Sequence, residues 1–149
     1  MIELKANIWD KQFDGCWRVI PINCQVNSKG ELIMGAGLAR EAKNRYSTLP
    51  EYWGRQYKDG YTGLDPYSPN DAIKLLAFPT KDHWKDDSDI RLIAINLKSL
   101  YGLYQAGYLE KIVCPRLGCG LGKLDWDTQV KPLVEKYFGD DPNFIVVNL

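Results

Sequence analysis

The chain has 149 residues, 45% of them hydrophobic and 26% charged, with 19 Lys+Arg against 19 Asp+Glu. This length suits one domain that buries about 70% of its unfolded surface without staples. Zero formal net charge excludes a polyanion-coating protein and a general duplex-DNA binder, which needs a basic face; it leaves room for recognition of one nucleotide in a pocket.

Cys16, Cys24, Cys114 and Cys119 form no Cys-x-x-Cys pair, and His83 is the only histidine, so no structural zinc is expected. Met1-Ile2-Glu3-Leu4-Lys5 has no apolar core behind it, and no apolar run approaches the ~20 residues of a membrane span; neither a leader nor a membrane partner is expected. Free thiols then fit a reducing, cytoplasmic setting.

In chain order, residues 2–9 read as a first strand, closed by Asp10-Lys11-Gln12. After the Asp14-Gly15 turn, residues 16–22 read as a buried strand, with Pro21 marking the end of its pairing. In the polar loop 23–30, Asn23 sits at the carboxyl end of an apolar strand, where open α/β sheets place ligands. Leu38, Ala39, Ala42 and Tyr46 form the apolar stripe of a helix over 38–46, which Leu49-Pro50 breaks. A helical turn follows through Tyr52, Trp53 and Tyr57. Residues 58–71, rich in Gly, Asp, Pro and Ser, are expected to be irregular.

Residues 72–78 predict a third strand running into Pro79-Thr80-Lys81-Asp82-His83-Trp84. Ser88 is the predicted N-cap of a helix carrying Ile90, Ile93, Leu97, Leu100, Tyr101 and Tyr104, with Gly107 ending it. Residues 111–114 form a fourth strand. Asp127 is expected to cap a helix with Val130, Leu133, Val134, Tyr137 and Phe138 inward, and 144–147 is the last strand. Strands alternating with helices predict an α/β fold with a mixed, mostly parallel sheet, whose loops at Asn23, Lys81 and Gly118 gather at one end.

Two small-residue turns stand out: Met34-Gly35-Ala36-Gly37-Leu38-Ala39 and Pro115-Arg116-Leu117-Gly118-Cys119-Gly120-Leu121-Gly122. Glycines there serve tight turns and close packing, or bring backbone N–H groups up to an anion; the pair suggests a diphosphate held between two helix N-termini. A P-loop does not fit, because Gly122-Lys123 is followed by Leu124 and position 117 is Leu. The dinucleotide fingerprint fails too, with Arg40 where its third glycine belongs.

This ordered set resembles a macro domain, the ADP-ribose-binding fold, from about Leu4 to Val147. Phe78-Pro79-Thr80-Lys81-Asp82-His83-Trp84 and Leu124-Asp125-Trp126 make it similar to the subgroup of terminal ADP-ribose protein glycohydrolases and DNA ADP-ribosyl glycohydrolase antitoxins. The resemblance implies a single three-layer α/β/α domain over residues 1–149 that hydrolyses ADP-ribose from a modified target. It implies a pocket in which Asn7, Ile8, Gly35, Ala36, Gly37, Leu38, Thr80, Leu117, Gly118, Cys119, Gly120, Leu121 and Gly122 bind the ligand. Asn23 positions the distal ribose and Lys81 attacks or polarises its C1″. No metal or other cofactor is implied; the partners are ADP-ribose or ADP-ribosylated DNA or protein, met by a monomer.

The protein glycohydrolases carry an aspartate where this chain has Gly122, and the DNA-directed antitoxins carry glycine, which tilts the reading towards nucleic acid. An ADP-ribose-1″-phosphate phosphatase and a non-catalytic ADP-ribose reader would use the same pocket. His83 reads as a structural or solvated loop residue, Cys119 as part of its loop rather than a nucleophile, Lys85-Asp86-Asp87 as a solvated face, and Asp125 as belonging to the helix start.

Overall fold

The computed structural model describes all 149 residues. Six strands, β1 (Ile2–Lys5), β2 (Trp17–Ile22), β3 (Asp65–Asn70), β4 (Ile73–Pro79), β5 (Ile112–Pro115) and β6 (Phe144–Asn148), form one sheet in the order β1-β6-β5-β2-β4-β3. Every neighbouring pair is parallel except β3 with β4. The helices are α1 (Gly37–Arg45), α2 (Leu49–Tyr57), α3 (Ile90–Gln105) and α4 (Lys131–Phe138). No helix is long and apolar enough to cross a membrane.

The central strands are apolar on both faces because helices cover both. Val19, Leu76, Phe78, Ile112, Cys114, Phe144 and Val146 pack with Ile93, Leu97 and Leu100 of α3 and Val134 and Phe138 of α4. Their neighbours Ile20, Ile22, Leu75 and Ala77 point the other way, onto Ala42 of α1 and Leu49, Trp53 and Tyr57 of α2. This two-residue alternation between two cores makes the continuous runs at 17–22 and 73–79, and it produces the expected α/β/α layering. Each such side chain, fully buried, contributes roughly 1.5–3 kcal/mol.

The first strand is shorter than expected. It stops at Lys5, and residues 6–10 turn instead, with Trp9 N donating to Asn7 Oδ1 (2.9 Å) and Asp10 N to Asn7 O (3.0 Å). Buried Arg18 holds this turn by donating to Ile8 O (2.7 Å), Asp10 O (3.0 Å) and Asp14 Oδ1 (3.0 Å). The larger correction is β3, in the stretch expected to be irregular. It is an antiparallel edge strand containing Pro66 and Pro69, with a register shift between Tyr67 and Asn70, and an edge tolerates both features.

Two caps move by one or two residues. Asp89, not Ser88, caps α3, accepting from Arg91 N at 2.9 Å. Asp125, not Asp127, caps the last helical segment, accepting from Thr128 N (2.8 Å) and Thr128 Oγ1 (2.6 Å); these bonds hold its carboxyl below the ordinary range. That segment opens as a π-turn, Trp126–Val130, before α4. Gly107, at φ +85°, follows the end of α3 as expected.

Asp65 opens β3 half-buried, and burial pushes its carboxyl up to about 6. The buried indole N–H of Trp53, which finds no partner of good geometry, offsets part of the rise. A carboxyl raised in the folded state from an ordinary 3.8 contributes most at low pH, and that stability is lost as pH rises through about 6. Asp65→Asn is therefore expected to be more stable than wild type by ~1 kcal/mol near pH ~8, after allowance for solvent screening, with the gap closing near pH ~4. Urea unfolding of both proteins at the two pH values measures it.

Candidate functional site

The loops that matter follow the carboxyl ends of the parallel strands. They enclose a cavity of about 560 Å³ over β2, β4 and β5, and an adjoining one of about 480 Å³ over β1, β5 and β6. Backbone hydrogen bonds tie the loops together. Cys24 N donates to Asp82 O (2.9 Å), Asp89 N to Thr80 O (2.7 Å) and Ser88 N to Gly122 O (3.0 Å), so the loops after β2, β4 and β5 form one rim.

One wall is the start of α1. Its N-cap, Ala36, has no side chain able to cap, and its first turn carries no acidic residue. The N–H groups of Gly37, Leu38 and Ala39, all cavity-lining residues, have no protein acceptor. Unpaired amides at the positive end of a helix dipole suit an anion. The facing wall is the 118–122 loop, where Gly120, Leu121 and Gly122 N–H also lack protein acceptors. The walls nearly meet at the lip, where a Cβ on Gly37 would lie 3.5 Å from exposed Leu121 Cδ1.

The glycines of the second loop are needed for packing as well as for approach. Gly118 has φ +72°, and a Cβ there would meet Ile93 Cδ1 at 2.7 Å, Leu124 Cδ1 at 2.8 Å and Ser88 Cβ at 3.0 Å. A Cβ on Gly122 would fall 2.1 Å from Ser88 Oγ. Ser88, buried just before α3, would therefore have to shift to admit any side chain at 122.

Asn23, Gly35, Ala36, Gly37, Leu38, Thr80, Lys81, Gly118, Cys119, Leu121 and Gly122 all line the larger cavity. Asn7, Ile8 and Gly120 line the adjoining one, which shares Leu38 and Cys119. Leu117 is the exception: its side chain is fully buried in the core under α3 and faces neither cavity. Asn23 is pinned, donating to Ile33 O (3.0 Å) and accepting from Gln25 N (2.8 Å), which leaves one amide hydrogen and one lone pair for a ligand. Asn7 Oδ1 is likewise taken up by Trp9 N, with one lone pair to spare.

Lys81 enters none of the protein's five ion pairs. Cys119 is a poor nucleophile, because burial pushes its thiol up, outweighing the pull of Arg116. His83 is a loop residue whose Nδ1 accepts from Lys85 N (3.1 Å). Ser88, Arg116 and Trp84 complete the larger cavity without having been singled out as site residues. Arg116 borders both cavities; its guanidinium lies 5.5 Å from the Trp126 ring centroid and 3.8 Å from Glu3, while its Nε is buried without a partner. Such a buried orphan donor is the one signal that marks it, and only the folded structure supplies it.

No family profile matches the chain. Among solved structures, the macrodomain of Thermus aquaticus DarG superposes with a TM-score of 0.79 at 21% identity, covering 99% of this chain and 97% of that one. The macrodomain of Mycobacterium tuberculosis DarG gives 0.77 at 23% identity, covering 100% and 98%. Thermosipho africanus DarTG in complex with ADP-ribose gives 0.74 at 25% identity, over 94% of this chain and 40% of that one. The chain has the macrodomain fold.

Within that fold its resemblance is to the DarG subgroup. It is 30% identical over 141 residues to a DNA ADP-ribosyl transferase–DNA ADP-ribosyl glycohydrolase fusion protein of Thermosipho africanus, a match covering 80% of this chain and 36% of that protein. It is 28% identical over 111 residues to the DNA ADP-ribosyl glycohydrolase of Mycobacterium tuberculosis, covering 70% and 32%. The chain thus spans about a third of the length of the curated relatives it matches.

Proposed function

We propose that this chain binds ADP-ribose across the two adjoining cavities and removes it hydrolytically from a modified nucleic acid. The observation that carries this reading is the pair of facing loops with unpaired amides, with Lys81 and Asn23 at the end of the same cavity. The pyrophosphate lies between the loops at 34–38 and 117–122. The adenine end runs towards Asn7 and Ile8, and the distal ribose towards Asn23 and Lys81.

Chemically, Lys81 Nζ attacks C1″ through its nitrogen lone pair. The bond from C1″ to the acceptor breaks and the acceptor leaves with a proton. The C1″–O4″ bond of the resulting glycosylamine then opens, O4″ taking up a proton, and one water hydrolyses the C1″–Nζ iminium so formed; the freed aldehyde closes back to the ribose, returning free ADP-ribose and the lysine amine. The net reaction consumes one water and no cofactor. Asn23, held by two backbone bonds, keeps the ribose oriented.

The curated relatives named as DNA ADP-ribosyl glycohydrolases support a nucleic-acid acceptor, and so does glycine rather than aspartate at position 122. We place the reaction in the cytoplasm, by a monomer; the four unpaired cysteines support a reducing compartment. The test is to offer base-linked ADP-ribosyl single-stranded DNA beside glutamate-linked ADP-ribosyl protein. Release from the DNA at a rate at least ~10-fold higher is the expected result, an order set by leaving groups bound in or outside the site. Release of phosphate from ADP-ribose-1″-phosphate alone would favour the phosphatase reading, and tight ADP-ribose binding with no turnover would favour a reader.

A further inference from the structure

Trp84 is not used by the ADP-ribose site as described, yet it lines the larger cavity three residues beyond Lys81. It is also 47% exposed, whereas Trp53 and Trp126 are buried and Trp9 is packed against the second core. An indole left open beside a cavity presents a flat apolar face on which a planar ligand can stack. Its setting is built. The His83 ring lies alongside at 5.8 Å and 25°, and Lys85 Nζ sits 5.1 Å from the indole centroid. The loop that carries it is anchored at both ends by the Cys24–Asp82 and Ser88–Gly122 backbone bonds.

The charge around it describes the occupant. Residues 81–91 carry Lys81, Lys85 and Arg91 against Asp82, Asp86, Asp87 and Asp89. Asp87 pairs with Lys123 (3.7 Å) and Asp89 with Arg91 (3.7 Å). This rim offers no phosphate track, so a polynucleotide backbone gains little from it. A single flat ring gains most, because every base presents a π-face to an indole.

We propose that Trp84 is the stacking platform for the nucleobase that carries the ADP-ribose, holding the acceptor beside Lys81 as its bond to C1″ breaks. The proposal rests on the deglycosylation reading above and adds the subsite for the leaving group. A single modified nucleoside then fills the site, with little contribution from neighbouring phosphates.

The experiment compares wild type, Trp84→Ala and Trp84→Phe on a base-linked ADP-ribosyl oligonucleotide, with free ADP-ribose binding followed by calorimetry. Trp84→Ala should lower kcat/KM roughly 10-fold or more, mainly through KM, while ADP-ribose affinity stays within ~2-fold and Trp84→Phe recovers most of the loss. The deficit should be equal at low and high salt, and the modified mononucleoside should show it too. An active wild type with an equally active Trp84→Ala would overturn the proposal; so would an ADP-ribose affinity that falls in step, which marks a structural role. A wild type inactive on the oligonucleotide would sink the deglycosylation reading instead. Stacking is then read from binding of the modified nucleoside: tighter than ADP-ribose in wild type but not in Trp84→Ala supports the platform, and no difference refutes it.

Discussion

Lys81→Ala is expected to bind ADP-ribose within ~3-fold of wild type and to lose at least ~100-fold in kcat on base-linked ADP-ribosyl DNA, the scale of losing a group that acts directly on the reacting atoms. The split follows from the division of labour in the cavity. In the proposed binding mode the unpaired amides of 37–39 and 120–122 hold the diphosphate through backbone, which a side-chain truncation at 81 leaves in place. Lys81 shares the cavity but enters no ion pair, so its removal orphans no charged partner. Single-turnover kinetics with enzyme in excess separates the chemical step from product release. Unchanged turnover in the variant would remove Lys81 from the mechanism while leaving the binding site intact.

Gly118→Ala should produce the largest loss of stability. The new Cβ meets Ile93, Leu124 and Ser88 within 3.0 Å, and φ +72° strains any L-residue. Overpacking and backbone strain together cost about 3 kcal/mol, a fall in Tm of roughly 6–12 °C. ADP-ribose affinity should drop at least ~10-fold, because the loop must shift to accommodate the methyl group. Two controls sharpen it. Gly120→Ala carries the positive φ (+73°) but meets nothing within 4 Å, so strain alone remains, about 1 kcal/mol. Gly35→Ala has neither problem and should leave Tm nearly unchanged. Thermal unfolding of the three variants, with and without ADP-ribose, orders them. A Gly118→Ala protein as stable as Gly35→Ala would mean that the loop does not pack against α3 as described.

Most of the site was legible because its residues sit at sequence punctuation. Asn23, Lys81 and Gly118 each lie in a loop that follows an apolar strand, and parallel strands bring their carboxyl ends to one edge of the sheet. The glycine loops announced sharp turns, although not that Gly118 packs against Ile93 and Leu124, or Gly122 against Ser88. Side chains converging from separate loops leave no periodic trace, which is why Ser88, Trp84 and Arg116 emerged only in the fold. Leu117 was misread for the converse reason. It lies inside the loop motif, yet its side chain packs into the core beneath α3.

The missed strand has its own cause. Asp-Pro-Tyr-Ser-Pro-Asn lacks the hydrophobic pattern of a strand because β3 has a neighbour on one side only and buries little. Two caps also fell a residue or two from the expected positions, at Asp89 and Asp125, whose carboxylates accept from Arg91 N and Thr128 N. Asp89 lies immediately after Ser88, and Ser88 is occupied under the glycine loop.

The covalent step tests the account most directly. Borohydride added during turnover of base-linked ADP-ribosyl DNA should reduce the C1″–Nζ iminium and leave ADP-ribose bonded to the peptide containing Lys81, read by mass spectrometry after proteolysis, with no adduct in Lys81→Ala. An adduct on another lysine such as Lys85, or full turnover with no trapped species, would contradict it.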